Sequence, residues 1–246
     1  MKILITNDDG IDNLGIRLLA KWAMQYGEVT VIAPKVEQSA KSHAIELRRA
    51  IEIKKVPFMD GVEAYSVDST PADCVRYGVI GLKRKFDLVL SGINYGVNVG
   101  DDIVYSGTCA AVFEAARNGM RGIAFSAFFG CQEEASKHFE RAYRYIVDND
   151  MFTDNPIFNV NIPNNPIGIR MTYQGSVYYS DEFAPSPEDG ENMYRQVGEQ
   201  IWDEEPNDLN RDTVAVHAGY ITVTPMLGTR TDMRVYEKYK RLNDEN

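Results

Sequence analysis

The chain is poor in cysteine and in long apolar runs. Its three cysteines, Cys74, Cys109 and Cys131, are too few and too scattered for a disulfide framework or a Cys-x-x-Cys metal site. No stretch approaches the roughly 20 apolar residues of a membrane helix, and the apolar run after Met1 stops at Asp8, too soon for a signal peptide. We therefore predict a cytoplasmic protein with small, buried cysteines and no membrane partner.

Positive charge is also scarce. The 246 residues include 36 acidic and 26 basic side chains, a formal net charge of −10, and 44% are hydrophobic. Such a chain can bury a sizeable core, but its surface repels nucleic acid polymers and anionic membranes. It repels phosphorylated molecules as well, so a site for one needs local positive charge, and a bound cation is the simplest source.

Short apolar segments alternate with helical segments through residues 1–150. Strands are predicted at Lys2–Thr6, Val29–Ala33, Glu63–Val67, Phe86–Leu90 and Gly122–Ser126. Helices are predicted from Leu14 to Tyr26, after the Thr70-Pro71 start signal, over Gly107–Asn118 and over Glu133–Val147. The alternation predicts an α/β fold in which a Rossmann-like, mainly parallel sheet carries helices on both faces.

Residues 151–246 have a different texture. Phe158–Ile162 is predicted as one more strand, and Ile169–Tyr179, Met193–Trp202 and Thr213–Thr224 as hairpins, which makes this a β-hairpin-rich C-terminal extension. Eleven acidic and two basic residues between Asp181 and Asp212 predict a solvated arm, with a partner surface as the alternative. A last helix is predicted over Thr231–Leu242.

Oxygen-bearing side chains follow three of the predicted strands. Asp8 and Asp9 come after the first strand, Ser39 follows the second, and Asn94 follows Phe86–Leu90. In an open parallel sheet ligands bind beyond the carboxyl ends of the strands, so these oxygens converge on one edge. They suit Mg²⁺ or Mn²⁺, although the two aspartates alone could instead cap the following helix.

A loop rich in glycine and asparagine precedes the helix of the central region. Glycine recurs every fourth residue over Gly92–Gly100, and Asn94 and Asn98 lie between the glycines. The helix then opens with three residues suited to an oxyanion: Ser106, Gly107 and Thr108. Loop and helix together predict a phosphate cradle, while a flexible turn is the alternative for the loop alone.

Three further side chains are weaker candidates. His43 follows the Ser39 loop and either reaches a substrate or is an ordinary surface histidine. Lys41 is a candidate charge partner for phosphate. Cys109 enters the predicted helix without a neighbouring base, which favours a packing role.

The motifs resemble, in order, those of the SurE survival-protein family and span nearly the whole chain. The matching blocks are Asn7-Asp8-Asp9-Gly10, Ala33-Pro34 with Gln38-Ser39, Thr70 to Val75, Asp87 to Asn98, Tyr105 to Thr108, Asn159 to Pro163, and Gly219 to Pro225.

The resemblance implies a nucleotidase that acts on nucleoside 5′- and 3′-monophosphates and in some members on short polyphosphate. It implies one divalent ion, Mg²⁺ or Mn²⁺, held by four residues: Asp8, Asp9, Ser39 and Asn94. Asn98 and Ser106 would contact the phosphate. Residues 1–150 would form the catalytic core, and 151–246 would complete the fold and form homodimers or homotetramers.

Four positions depart from the family pattern. Thr229 and Met233 stand roughly where the family commonly carries an acid and a histidine, and Ser69 and Ala40 where it often has glycine. We expect these differences to alter assembly and loop detail rather than the metal centre.

The expected reaction is metal-dependent hydrolysis of a phosphomonoester. The ion would bind a phosphate oxygen and lower the pKa of a water molecule, which Asp8 or Asp9 would orient or deprotonate. Asn98, Ser106 and the helix N-terminus would stabilise charge on the transferring group. The alternatives are a phosphatase for another small phosphomonoester and a nucleotide-binding module that does not hydrolyse.

Overall fold

Apolar segments of the first half pair into the centre of one large sheet. The computed structural model of the chain describes residues 1–176, 179–201 and 207–242. Strands β1 to β6 are Lys2–Thr6, Glu28–Pro34, Ile53–Lys55, Glu63–Val67, Leu88–Tyr95 and Arg121–Ala127. Strands β7 to β11 are Ile157–Ile162, Gly168–Met171, Glu182–Pro185, Tyr194–Val197 and Tyr220–Pro225.

Helices pack against both faces of this sheet. The helices of the described residues are α1 Leu14–Ala23, α2 Pro71–Arg76, α3 Gly107–Arg117, α4 Gln132–Ser136, α5 Phe139–Asp148, α6 Asp212–His217 and α7 Met233–Tyr239, of which α7 buries no residue. Side chains alternate between two cores: Ile3 and Ile5 of β1 join the cluster that contains α1 and α5, whereas Leu4 joins the cluster under α2 and α3. No helix of the described residues is long and apolar enough to cross a membrane.

The sheet order brings three strand ends together. Nine strands run in the order β3-β4-β2-β1-β5-β6-β7-β11-β8. The six from β4 to β7 in this order are parallel to one another, whereas β3 and β11 pair antiparallel with β4 and β7. Strand β1 lies between β2 and β5, with Ile5 opposite Val31 and Thr6 opposite Ser91. The segments that follow β1 and β2 and the end of β5 therefore share one edge, and the predicted α/β fold is confirmed.

Several predicted elements differ in detail. Strand β5 extends through Asn94 to Tyr95, so the start of the predicted loop is strand. The single predicted helix over Glu133–Val147 is two helices, α4 and α5, separated at Lys137 and His138. Buried residues recur every three or four positions across both helices, at Ala135, Phe139, Ala142 and Ile146. This unbroken spacing is why the segment is predicted as one continuous helix.

The second half holds fewer hairpins than predicted. Residues of Thr213–Thr224 form α6 and β11 rather than a hairpin; burial of Val214 and Val216 overrides their weak helix propensity. Strand β8 pairs in parallel with β11, and β7 and β11 extend the main sheet. Only β9 and β10 form a separate two-stranded ribbon among the described residues. Positions 177, 178 and 202 of the predicted hairpins lie outside those residues, and the division of the chain at residue 150 stays a prediction.

Candidate active site

Asp8 follows β1 and is held by the first turn of α3. Thr108 donates from its hydroxyl to Oδ1 of Asp8 and from its backbone N–H to Oδ2, at 3.1 Å. Gly107 is packed so closely that a Cβ there would lie 2.9 Å from both Cβ and Oδ2 of Asp8. The Gly107-Thr108 pair thus fixes a carboxylate that is only 5% exposed.

Asp9 is tied to the end of β5 instead. The backbone N–H of Tyr95 donates to Oδ2 of Asp9 at 3.2 Å, and no described residue donates to Oδ1. Gly10 follows with φ 100°, a conformation that disfavours other residues, and turns the chain toward α1. One oxygen of Asp9 is therefore left for a ligand.

Burial and mutual repulsion make both carboxylates reluctant to ionise. Burial raises the pKa of Asp8, even though the hydrogen bonds from Thr108 act in the opposite direction. Burial, followed by the negative charge of Asp8, raises the pKa of Asp9 to about 7. Glu37 adds further negative charge to both. A divalent cation beside them would remove this penalty.

The loop after β2 brings Ser39 to the same edge. The N–H of Gln38 donates to the carbonyl of Asp8 at 2.7 Å, which anchors the loop. The Ser39 hydroxyl donates to Oε1 of Glu37 at 2.6 Å, so its oxygen can still donate a lone pair to a cation. Glu37 was missed by sequence reasoning; the only signal was an acid two residues before Ser39.

Asn94 lies near the end of β5, one residue from the Tyr95 amide that binds Asp9. Its Nδ2 donates to the carbonyl of Gly96 at 2.7 Å, and no described residue donates to Oδ1. The amide is thus oriented with its oxygen uncommitted, as a cation ligand requires.

The residues present fit a hard divalent cation. The described residues include no group of three or more His, Cys, Asp and Glu side chains arranged for a metal. Two carboxylates with raised pKa values, one hydroxyl and one amide oxygen could nevertheless supply an all-oxygen donor set: Asp8, Asp9, Ser39 and Asn94. Oxygen donors of this kind suit Mg²⁺ and Mn²⁺ rather than zinc.

Asn98 is fixed by a network of buried amides that sequence reasoning missed. Its N–H donates to Oδ1 of Asn161 at 2.7 Å, and its carbonyl accepts from Asn159 and Asn161. Its Nδ2 donates one hydrogen to Ser126 at 2.8 Å, which leaves a second N–H for a ligand. In the sequence, the only sign of this network is the pair Asn159 and Asn161 within an otherwise apolar strand.

Ser106 is the N-cap of α3 and lies where the sequence predicts an anion site, which we call the anion seat. Its Oγ accepts from the N–H of Cys109 at 3.1 Å and caps the helix, whose first-turn N–H groups have no partner within the helix. Cys109 itself is buried, and burial raises the pKa of its thiol to about 12, which agrees with a packing role.

Comparison with known proteins gives the family. A sequence model described as "Survival protein SurE" matches residues 3–181. The chain belongs to the SurE family.

Relatives match over nearly the full length. A protein named "5′-nucleotidase SurE" from Thermoanaerobacter sp. (strain X514) is 38% identical over 253 residues, covering 99% of this chain and 97% of that protein. One of the same name from Thermosipho melanesiensis is 39% identical over 238 residues, covering 92% and 91%. The crystal structure of SurE from Aquifex aeolicus superposes with a TM-score of 0.81 at 33% identity and covers 99% of this chain and 100% of that one.

Asp212, a buried acid from the second half of the chain, positions the Gly92–Gly100 loop. Asp212 accepts from the N–H of Gly100 at 3.2 Å and from the N–H of Gly175 at 2.7 Å. It therefore ties the end of the Gly92–Gly100 loop to α6. Sequence reasoning had placed Asp212 at the edge of a solvated arm, and only the fold shows that it is fully buried.

Lys41 and His43, the weaker candidates, lie in different surroundings. Lys41 is exposed and has no ion pair with a described residue. His43 turns away from the surface, with Nε2 3.0 Å from Oε2 of Glu114 on α3. The cavity that His43 lines also includes Ser106, which places the histidine beside the anion seat.

The four departures from the SurE pattern fall outside the oxygen cluster. Ala40 adopts φ 55°, where glycine would be unstrained. The Ser69 hydroxyl donates to Oδ2 of Asp73 at 2.6 Å. Thr229 accepts from the N–H of Thr231, and Met233 is the first residue of α7.

Proposed function

We propose that this SurE-family chain is a divalent-metal-dependent nucleotidase. It hydrolyses nucleoside 5′-monophosphates, and also 3′-monophosphates and short polyphosphate. The observation that carries the proposal is the pair Asp8 and Asp9, two adjacent carboxylates with raised pKa values, of which Asp8 is held by the N-terminus of α3 and Asp9 by the end of β5. Relatives that span the same length bear the name 5′-nucleotidase SurE, which supports the nucleotide as substrate.

Each residue of the cluster has a distinct task in this reaction. Asp8, Asp9, Ser39 and Asn94 would hold Mg²⁺ or Mn²⁺. The ion, when bound, supplies positive charge that offsets the phosphate and makes a neighbouring water more acidic. Asp9, which keeps one oxygen free of hydrogen bonds from the described residues, orients the attacking water and accepts its proton. Asp8, held at both oxygens by Thr108, stays fixed as a ligand.

The phosphate is held on the opposite side by neutral donors. The Ser106 hydroxyl, the N–H of Gly107 and the second N–H of the Asn98 amide can donate to its oxygens. These groups belong to α3 and to the amide network, so they are in place before substrate binds. Preorganised donors of this kind stabilise charge that develops in the transition state.

Phosphate release from a substrate panel tests the proposal. The panel contains nucleoside 5′- and 3′-monophosphates, sugar phosphates and tripolyphosphate, each with Mg²⁺, with Mn²⁺ and with EDTA. We expect metal-dependent release that favours nucleotides. Preference for sugar phosphates would favour the alternative phosphatase, and no release from folded, metal-loaded protein would favour the binding module.

We also propose a homodimer or homotetramer assembled through the β9–β10 ribbon. Phe183 and Tyr194 lie on one face of this ribbon and are 68% and 60% exposed. Large exposed apolar side chains on a projecting ribbon are typical of a subunit contact. The free cysteines Cys74, Cys109 and Cys131 support our placement of the enzyme in the cytoplasm.

A further inference from the structure

A cavity of ≈ 400 Å³ runs along one face of α3. Four of its lining residues come from this helix and its cap: Ser106, Ala110, Phe113 and Arg117. Their spacing of four, three and four residues puts them on a single helix face. At 1.5 Å per residue the stripe extends about 16 Å along the helix axis. The cavity is therefore elongated and begins where the phosphate is proposed to bind.

The walls change in chemistry along this length. Along α3, Ser106 forms the polar end, Ala110 and Phe113 form an apolar middle, and Arg117 lies at the far end. Leu227 and Arg230 line the cavity from the segment after β11. Phe113 is about 10 Å along the axis from Ser106, a separation comparable to the length of a mononucleotide.

The remaining wall is fixed by a buried ion network. Glu114, of which the side chain is 3% exposed, contacts Nε2 of His43 at 3.0 Å and Nη1 of Arg117 at 3.1 Å. Burial alone would raise the pKa of Glu114, but hydrogen bonds from His43 and Asn118 and the charge of Arg117 lower it. An ionised carboxylate only accepts hydrogen bonds, so Nε2 of His43 must be the donor. The His43 ring is thus held beside Phe113, with ring centroids 6.3 Å apart.

We propose that this cavity binds the nucleoside part of the substrate, with the ribose over Ala110 and the base against Phe113. The inference rests on the proposed function, because it takes the phosphate to lie at the Ser106 end. An aromatic face provides stacking for any base, and the guanidinium of Arg117 can stack or donate to its edge. Phe113 is accordingly a specificity-determining residue, while Glu114 positions His43 and Arg117.

The test compares adenosine 5′-monophosphate with ribose 5-phosphate, which has the same phosphate and sugar but lacks the base. In Phe113→Ala we expect the ratio of kcat/KM for the nucleotide to that for the sugar phosphate to fall about tenfold, mainly through KM. Leu227→Glu should lower the same ratio, and because Leu227 is 75% exposed this substitution leaves the fold intact. Phe58→Ala is the matched control, since Phe58 is a partly buried phenylalanine remote from the cavity.

Direct binding separates this inference from the proposed function. Adenosine carries no phosphate, so calorimetric titration of the wild type and of Phe113→Ala reports on the cavity even if hydrolysis fails. Suppose that the wild type binds adenosine, that Phe113→Ala weakens this binding about tenfold, and that the protein releases no phosphate. This result would overturn the proposed function and support the cavity assignment. An unchanged substrate ratio in both variants, with adenosine binding equally well to Phe113→Ala, would overturn the cavity assignment alone.

Discussion

Asp8 and Asp9 are adjacent in the chain, yet the fold places their carboxylates in different surroundings. Both oxygens of Asp8 accept hydrogen bonds from Thr108 at the start of α3. Asp9 accepts one from Tyr95 and keeps an oxygen free. This asymmetry supports Asp8 as a fixed ligand and Asp9 as the group that handles the water.

The raised pKa of Asp9 makes stability depend on both pH and metal. The folded state holds the Asp9 proton up to about pH 7, whereas an unfolded aspartate releases it near 4. The contribution of Asp9 to metal-free stability is therefore present below about pH 4 and is lost as pH rises to about 7. Mn²⁺ should therefore raise Tm more at about pH 8 than at about pH 5, with a difference of at least about 3 °C. Calorimetric scans of metal-free and metal-loaded protein measure this.

The control for this prediction is a matched carboxylate substitution. Asp9→Asn should raise the Tm of the metal-free protein at about pH 8 and remove most of the response to Mn²⁺. Asp60→Asn, at an exposed position, should behave as the wild type. An equal metal response at both pH values, or a full response in Asp9→Asn, would contradict the account of this site.

Sequence pattern suggests the proposed metal ligands, but it does not reveal most of the residues that hold them in place. Asp8, Asp9, Ser39 and Asn94 could be grouped because each follows a predicted strand. Asn159 and Asp212 act through contacts that depend on the fold, such as the one between Asp212 and Gly100 across 112 positions. No local pattern encodes a contact of that range.

At the level of elements, the N-terminus of α3 has one observed role, which is structural, and one proposed role, which is to bind the phosphate. Ser106 caps the helix and lies at the proposed phosphate seat, whereas Thr70 caps α2 by the same geometry, accepting from the N–H of Asp73. Thr70 also donates to the carbonyl of Ala44 at 2.7 Å. The two caps therefore allow a test in which both variants lose a cap but only one loses a proposed donor to the phosphate.

We predict that Ser106→Ala and Thr70→Ala each lower the free energy of unfolding by about 1 kcal/mol or more, as loss of a cap does. Only Ser106→Ala should also lower kcat/KM for a nucleotide, by about tenfold or more, because it removes a donor to the phosphate. Urea unfolding and steady-state kinetics measure the two effects. Equal activity in the two variants would show that Ser106 acts as a cap alone.

Element prediction succeeded where local pattern and packing agree. The strand Glu63–Val67 and the start of α3 at Gly107 were predicted at the positions found. It failed at α6, where a β-branched sequence is helical because Val214, Ala215 and Val216 are buried against the rest of the fold. Tertiary packing of this kind outweighs propensities of a few tenths of a kcal/mol.

For the whole molecule, the main sheet and the ribbon have different chemistry. Strands from both halves of the chain join one sheet, and buried side chains cover both of its faces. The β9–β10 ribbon lies outside that sheet and exposes Phe183 and Tyr194 together on one face. The fold class could be predicted from the alternation of elements, but the pairing of β8 and β11 could not, because their order in the sheet is not their order in the chain.

We predict that the double variant Phe183→Asp and Tyr194→Asp has a smaller mass in solution than the wild type. Burying two new charges in a subunit contact is unfavourable, and the ribbon segment is already acidic. Light scattering coupled to gel filtration measures the mass. Ile80→Asp, at a 55% exposed apolar position away from the ribbon, should leave the mass unchanged. An unchanged mass in the double variant would exclude the ribbon as the contact.

The central claim is that Asp8 and its neighbours form a metal-dependent site for phosphomonoester hydrolysis. The most direct measurement is the rate of phosphate release from adenosine 5′-monophosphate by the wild type and by Asp8→Asn across a titration of Mn²⁺. Asparagine keeps an acceptor for Thr108, so we expect the Tm to stay within about 2–4 °C of the wild type. Turnover should fall by a factor of about 10³ or more at every metal concentration. Near-normal kcat for Asp8→Asn at saturating Mn²⁺ would contradict the assignment.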